Sequence, residues 1–305
     1  MLTFKQLEAI YWVVELGGFA QAAARLNTTQ SAVSKRVQEL ESLFDTLLFD
    51  RTLRTAQLSP KGQEMYHIAK GLLDQRNAAV EAFSRSDVIE RRLRIGVTEV
   101  AAMTWMPALM ARIRLTWPRV IIELDADAMV PLRDKLLAGE LDLIVVPSEL
   151  EDNRLVKEVV GEVEMGWMCK PGLIRRKTIA LQELTEQTFL VEGTRSGTGR
   201  IFNRWLKSLG VVPDNTIVSS NLVSIVAMTV SGLGVSRLPH MCLSPLINAG
   251  LLQVFKVTPQ APDIPYVAAY KKEQRSTFLD AVVELVKECC DFSQPFQIDT
   301  SAARR

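Results

Sequence analysis

The stretch TTQSAVSKRVQELE, Thr28 to Glu41, constrains the chain to a helix with two unlike faces. Val33, Val37, Leu40 and then Phe44 recur at helical spacing and form the stripe that packs on a core. Ser31, Ser34, Lys35 and Gln38 recur at the same spacing on another face, which carries no carboxylate. A solvated helix face usually mixes both signs of charge. A face of short donors, an amide and a cation fits a surface that repels negative charge.

The neighbouring residues give this helix a setting. A first helix is expected from about Thr3 to Leu16, with Leu7, Ile10, Tyr11 and Val14 inward and Gly17-Gly18 as its stop. FAQAAARL is a second, short helix whose alanines let another helix approach closely. Asn27-Thr28 is a tight connection, and Thr29 suits the N-cap of the third helix. Two helices joined this tightly read as a helix-turn-helix. Next, TLLFDRTLRTAQLSP holds a short apolar strand, Leu47 to Phe49, a polar stretch with two arginines, then Leu58, which suits a β-hairpin wing. Ser59 and Pro60 form a strong helix start. That helix is expected to reach about Ser84, with Met65, Ile68, Leu72, Gln75, Ala79 and Ala82 as a heptad-like seam for pairing between subunits. SRSDVIER reads as a hinge.

From Arg91 the texture becomes α/β. LRIGVT alternates, with Leu93, Ile95 and Val97 on one face. A helix to about Leu115 follows, then the strand VIIELDA, a helix over VPLRDKLLAG ended by Gly139, and the buried strand LDLIVVP. A second set starts near Gly161: EMGWMCKP, TFLVEG, the helix TGRIFNRWLKSLG, NTIVSS, the helix LVSIVAMTVSG and LGVSRLP. YVAAYKK and the helix TFLDAVVELVKECC close the chain. LLAGELDLIVVP and TVSGLGVSRLP are loosely alike, which points to two similar lobes with a cleft between them, where strand ends bind small ligands.

At 305 residues, with 48% hydrophobic residues, the chain suits two or three domains with proper cores. No apolar run approaches the roughly 18–20 residues of a membrane span, and the N-terminus lacks the pattern of a signal peptide. Cys169, Cys242, Cys289 and Cys290 form no CxxC pair, and a reduced, cytoplasmic protein with free thiols is expected. The net charge is +1, and Lys5, Arg25, Lys35, Arg36, Arg51 and Arg54 are offset by nearby acids. Any DNA contact therefore depends on where charges sit, not on how many there are.

A helix entering the major groove needs side chains that reach base edges without a repelling charge. Gln30, Ser31, Ser34, Lys35 and Gln38 meet that need, since glutamine pairs with adenine and lysine donates to guanine. Thr29 can place a hydroxyl or an N–H near a phosphate. Arg51 and Arg54 in the wing suit phosphate or minor-groove contacts. The plain alternative is a three-helix domain with a polar outer face.

These segments resemble the LysR-type transcriptional regulators. The matching pieces are FKQLEAIYWVVELGGFAQAAARLNTTQSAVSKRVQELE and LLFDRTLRTAQLSPKG. Thr29-Gln30-Ser31-Ala32-Val33-Ser34, Leu40-Glu41, Leu48-Phe49-Asp50-Arg51 and Leu58-Ser59-Pro60-Lys61-Gly62 occupy the family's motif positions, with serine for threonine at Ser59. After residue 91 the likeness rests on fold rather than on motif. The resemblance implies an α+β multidomain chain: a winged helix-turn-helix over 1–60, a dimerising linker helix and hinge over 61–90, and a two-lobed, periplasmic-binding-protein-like effector domain over 91–305. Lobe I takes about 91–161 and 266–305, and lobe II about 162–265. It also implies a homodimer or homotetramer, double-stranded DNA with an interrupted inverted repeat, a small-molecule effector and contact with RNA polymerase. No membrane partner and no cofactor are implied. Paired reading heads require a roughly palindromic site.

The resemblance places effector contacts at Thr98 and Glu99, near Asp125 to Asp127, at Ser148, in GTRSGTG, and at Ser220 and Asn221. Thr194, Arg195, Ser196 and Gly197 form a candidate nest of N–H groups for a carboxylate or phosphate. Glu99, with Asp125 or Asp127 nearby, would favour a cationic group, so an effector with an ammonium and an anionic end is one expectation. The alternative is that Glu99 points to solvent or caps its own helix.

Catalytic motifs are poor. Only His67 and His240 are present, the first read as a surface or interface residue and the second as structural. GTRSGTG is out of phase with a nucleophile elbow and lacks the lysine of a P-loop. SGLGVS lacks the third glycine of a dinucleotide fingerprint, and no metal-ligand cluster is visible. The sequence thus reads as a regulator rather than an enzyme. The competing class is a solute-binding protein whose N-terminal domain is an interaction module, which the lack of a signal peptide disfavours.

Overall fold

The computed structural model describes residues 1–50, 57–83 and 91–295, and the chain divides into two compact units, 1–84 and 85–305. The first unit begins with α1 (Phe4–Glu15), α2 (Phe19–Arg25) and α3 (Gln30–Phe44). Thr3 and Gln6 form a reciprocal cap at the start of α1, each side chain bonding the other's backbone N–H. Gly17 ends α1 with φ +72°, a left-handed turn that suits glycine. Ala22 and Ala23 are buried against the neighbouring helices, as their small size allows. After α3, Asp45 turns left-handed and Phe49 bridges antiparallel to Leu58.

Helix α4 (Pro60–Phe83) starts with the Ser59 hydroxyl accepting from the Gly62 N–H at 3.0 Å. A Cβ on Gly62 would lie 1.9 Å from the Leu48 carbonyl oxygen, so only glycine lets α4 approach the bridge strand this closely. Arg76 pairs with Glu8 at 2.6 Å and covers the Phe4 ring, tying α4 to α1.

The expected stripes are turned in three places. Phe44 is 47% exposed rather than part of the α3 stripe, because the helix ends there and the next residue reverses the chain. In α1, Val13 is fully buried while Tyr11 and Val14 are half-buried. In α4, Ala69 and Leu73 join the core, whereas Ile68 is 53% exposed and Gln75 and Ala79 are exposed. Of the proposed seam, Ile68, Gln75 and Ala79 therefore face away from the core of their own domain, while Met65 and Leu72 pack half-buried against it. Ala82 lies where side chains are not described.

The second unit contains, in order, β1 (Arg92–Val97), α5 (Glu99–Met103), α6 (Met106–Thr116), β2 (Ile121–Ala126), α7 (Met129–Ala138), β3 (Leu143–Pro147), β4 (Leu155–Val163), β5 (Met165–Cys169), β6 (Thr178–Ala180), α8 (Leu181–Leu184), β7 (Thr188–Glu192), α9 (Gly197–Ser208), β8 (Asn215–Ser219), α10 (Leu222–Ser231), β9 (Val235–Pro239), α11 (Ser244–Asn248), β10 (Gln253–Thr258), β11 (Ile264–Lys271) and α12 (Thr277–Cys289). One sheet has the order β2-β1-β3-β11-β4, the other β6-β10-β5-β9-β7-β8. Two crossovers join them, at Glu164 and around Pro262–Asp263. Leu93, Ile95 and Val97 all point into the core, and β3 is buried throughout.

The helix expected up to Leu115 is broken into α5 and α6. Trp105 is buried at the break, and Pro107, which has no N–H to give, stands in the first turn of α6. Strand β4 carries little alternation because it is a charged edge strand with a register shift opposite Tyr266 and Val267. It belongs to the first sheet, which therefore extends to Val163 and resumes at Ile264. Among the described residues no helix is long and apolar enough to cross a membrane.

Candidate functional site

On α3, Gln30, Ser31, Lys35 and Gln38 are exposed and Ser34 is half-buried. Thr29 is the N-cap: its hydroxyl accepts from the Ala32 N–H at 3.2 Å and lies 3.0 Å from the Ser31 hydroxyl. Thr29 thus first serves the helix, and the residues after it form the outer face. The acids of this helix are turned away from that role. Glu39 accepts from the Gln6 amide at 3.2 Å. Glu41 is 7% exposed, and its carboxylate accepts from the N–H groups of Leu48 at 2.9 Å and Phe49 at 3.4 Å. A buried carboxylate holding two backbone donors fixes the strand after α3 to the helix. Arg51 and Arg54 lie outside the described residues.

In the second unit, Glu99 begins α5, yet its carboxylate serves another helix. It accepts from Asn221 Nδ2 at 2.9 Å and from the Leu222 N–H at 2.7 Å, at the start of α10. The Asn221 side chain meanwhile caps α10 through the Ser224 N–H at 2.9 Å. A carboxylate at a helix N-terminus meets unsatisfied donors and the positive end of the dipole. Asp125 and Asp127 share Lys135, at 2.7 and 3.4 Å. Their hydrogen bonds and charge, the Asp125 bond above all, raise the Lys135 ammonium despite its desolvation.

Other contacts join the two sheets' helices and turns. The Val130 N–H donates to the Arg195 carbonyl at 3.0 Å, and Arg204 pairs with Glu149 at 2.7 Å. A Cβ on Gly197 would lie 2.6 Å from Pro147 Cβ and 2.9 Å from Met129 Sδ. The Thr98 hydroxyl lies 3.0 Å from the Tyr266 phenol, and burial pushes that phenol up. Ser196 caps α9 through the Gly199 N–H at 3.3 Å and donates to the Glu192 carboxyl. Burial pushes the Glu192 acid up, and the charge of Glu99 adds to it, against the Ser196 bond.

The family model described as a LysR substrate binding domain matches residues 86–291, and the one described as a bacterial regulatory helix-turn-helix protein of the lysR family matches residues 4–63. The chain belongs to the LysR family. Among its relatives is the transcriptional regulator MetR of Salmonella typhimurium, 24% identical over 294 residues, covering 95% of this chain and 92% of MetR. Full-length OxyR of Pseudomonas aeruginosa has the same fold, with a TM-score of 0.72, 20% identity, and coverage of 95% of this chain and 96% of that one. Full-length CbnR, solved in complex with its target DNA, aligns with a TM-score of 0.57 at 20% identity, covering 95% of this chain and all of CbnR.

As a LysR-family member the chain is a DNA-binding transcriptional regulator with an effector domain. The sequence-predicted residues of that domain fall into three groups. Glu99 and Asn221 meet directly, and Thr98 and Ser196 each join a hydrogen-bonded cluster. Arg195 and Ser148 are tied by backbone, the Ser148 N–H donating to the Pro265 carbonyl at 2.8 Å. Thr194 is exposed, its carbonyl accepting from Arg200 at 2.7 Å. The expected nest is altered, because the Ser196 N–H is spent on the Gly193 carbonyl at 3.0 Å.

The expectation that Glu99 with Asp125 or Asp127 would favour an ammonium needs correction. Glu99 neither points to solvent nor caps its own helix; it holds the start of α10, while Lys135 neutralises the two aspartates. Sequence reasoning also missed Glu192, Arg237 and Tyr266. For Arg237 a signal existed: a lone charge inside the apolar strand VSRLP.

Proposed function

We propose that this LysR-family regulator reads DNA with Gln30, Ser31, Ser34, Lys35 and Gln38 in the major groove, while Thr29, Arg51 and Arg54 contact the backbone. The observation that carries this reading is the outer face of α3, where exposed donors stand free of acids because Glu39 and Glu41 are turned to Gln6 and to backbone N–H groups. The relative CbnR, solved with its target DNA, supports it. The α4 seam of Ile68, Gln75 and Ala79 faces outward and suits pairing with a second copy, so the site is an interrupted inverted repeat read by a homodimer or homotetramer in the cytoplasm. A small effector taken between the lobes, near Thr98, Ser148, Arg195, Ser196 and Asn221, alters DNA contact and the contact with RNA polymerase.

The test is a gel shift on the DNA just upstream of the protein's own gene. Ser34→Glu places a carboxylate against the groove and costs at least the about 1–3 kcal/mol of a lost base contact. Arg51→Ala weakens binding and lowers its salt dependence. Equal binding by wild type, Ser34→Glu and Arg51→Ala would overturn the assignment of the face.

A further inference from the structure

The chain crosses between the two sheets twice, and the crossings differ in length. Only Glu164 separates β4 from β5, whereas five residues, 259–263, separate β10 from β11. On the first sheet the crossings leave side by side, because Val163 pairs with Ile264. Both of these residues are buried. A five-residue tether held only at its ends would let the second lobe shift against the first.

The end of β9 removes this slack. The His240 N–H, just past β9, donates to the Glu164 carbonyl at 3.0 Å, and Met165 stands opposite Pro239. The short crossing is therefore fastened to the second sheet from the Glu164 carbonyl onward. Arg237 fastens the long one. Its side chain is 4% exposed, and Nη2 donates to the carbonyls of Ala261, at 3.3 Å, and Pro262. The guanidinium also faces the Asp263 carboxylate at 3.6 Å, and that carboxylate accepts from the Met165 N–H at 3.1 Å. One ion pair thus joins β9, the returning segment and the first residue of β5. Nη1 is buried without an acceptor, so no spare partner waits for a guanidinium that lets go of Asp263. Burial lowers Arg237 and Asp263 counters it, so the group sits at about 10 and stays charged at neutral pH.

We infer that Arg237 and Asp263 form a pin that makes residues 261–263 part of the second lobe and confines rotation between the lobes to two adjacent links, Val163–Glu164 and Asp263–Ile264. On one side of these links the chain is paired in the first sheet, and on the other it is bonded to β9 and the residue after it. A hinge of this kind absorbs a domain rotation in a few backbone angles. With the pin in place, a contact made or lost across the cleft, such as Glu99 with Leu222, turns the second lobe as one body instead of being taken up as slack. Arg237 is a positioning residue: it acts through the returning segment and sets how the cleft contacts meet. The regulatory meaning of that turn rests on the effector reading, and the pin itself does not.

The test is amide hydrogen exchange of the full-length protein, resolved to single residues. Arg237→Met removes the pin, and the Met165 amide is expected to exchange roughly tenfold faster or more. The Val130 and Leu222 amides, bonded across the cleft, should quicken with it although Arg237 bonds neither. Val145 and Leu190, buried in the two sheets, should keep their rates. Asp263→Asn keeps an acceptor for Met165 but loses the charge, and it should quicken Met165 in the same selective way. The two substitutions together should be no faster than the faster single variant, since both break one pair. Asp263→Asn carries the test if Arg237→Met does not fold. Glu99→Ala leaves the pin whole: it should quicken Leu222 while Met165 stays slow, because turning at the two links leaves Met165 bonded. The proposal is overturned if Met165 keeps its wild-type rate in the pin variants, if Val145 and Leu190 quicken as much as Met165, if the two substitutions add, or if Glu99→Ala quickens Met165 as strongly as Leu222. No effector enters the experiment, so its failure leaves the effector and DNA readings standing.

Discussion

Removing the Glu99 carboxylate loosens the two halves of the effector domain from each other. Glu99 belongs to α5 beside the first sheet, and its two partners, Asn221 Nδ2 and the Leu222 N–H, open α10 beside the second. A hydrogen bond to a charged group contributes about 1.5–3 kcal/mol, and the partial exposure of both side chains puts these at the low end. Glu99→Ala therefore costs about 2–3 kcal/mol, including a few tenths from the lost charge at the helix N-terminus. Asn221→Ala removes the same cross-lobe bond together with the cap on Ser224, a cap being worth about 1 kcal/mol. The cap is lost equally in the single and double variants, so it cancels in a double-mutant cycle and leaves the pair alone. Urea unfolding of the full chain, read through Trp105, Trp117 and Trp167, should give a coupling of about 1 kcal/mol. If the two costs add within about 0.3–0.5 kcal/mol, the Glu99–Asn221 bond contributes nothing across the lobes and the reasoning fails for that pair.

Glu41→Ala leaves two buried N–H groups, at Leu48 and Phe49, without their acceptor and should cost about 2–3 kcal/mol, read as faster hydrogen exchange at those amides. Gly62→Ala drives a methyl into the Leu48 carbonyl, where backbone cannot yield, and a loss of about 3 kcal/mol in the stability of the first unit is expected by denaturant titration. Burial raises the Glu192 acid above its ordinary 4.5, so the folded chain binds more protons than the unfolded one above that pH. Stability should then fall as pH rises through 4.5 toward the raised value and level off beyond it. In Glu192→Gln that slope disappears, which thermal unfolding across the range detects.

The DNA-reading domain was the more legible part. Helix ends are set by near neighbours, so Thr29, Ser59, Pro60 and Gly17 mark their caps and stops without tertiary help. Stripes are less secure, because their phase depends on what packs against them: Phe44 matches the spacing but falls at a helix end, and α4 turns Ala69 and Leu73 inward instead of Ile68. In the effector domain the central strands were readable from apolar runs such as LIVVP, while the edge strand β4 was hidden by its charges and its register shift. Strand β10 does alternate, through Phe255 and Val257, and so carries a readable signal.

Sequence alone determined the family motifs, the two-part organisation of helices followed by α/β units, and the carboxylate-free face of α3, because each depends on residues close together in the chain. Tertiary structure decided the fate of the charges. Glu41 is held by the strand after its helix, Asp125 and Asp127 are neutralised by Lys135, and Glu99 reaches Asn221 and Leu222 more than a hundred residues away. Arg237 shows the same dependence: only the folding of the second crossover against it leaves Nη2 partnered and Nη1 buried without an acceptor. Coulomb and hydrogen-bond energies depend on separation in space and on burial, and neither is written in a one-dimensional pattern.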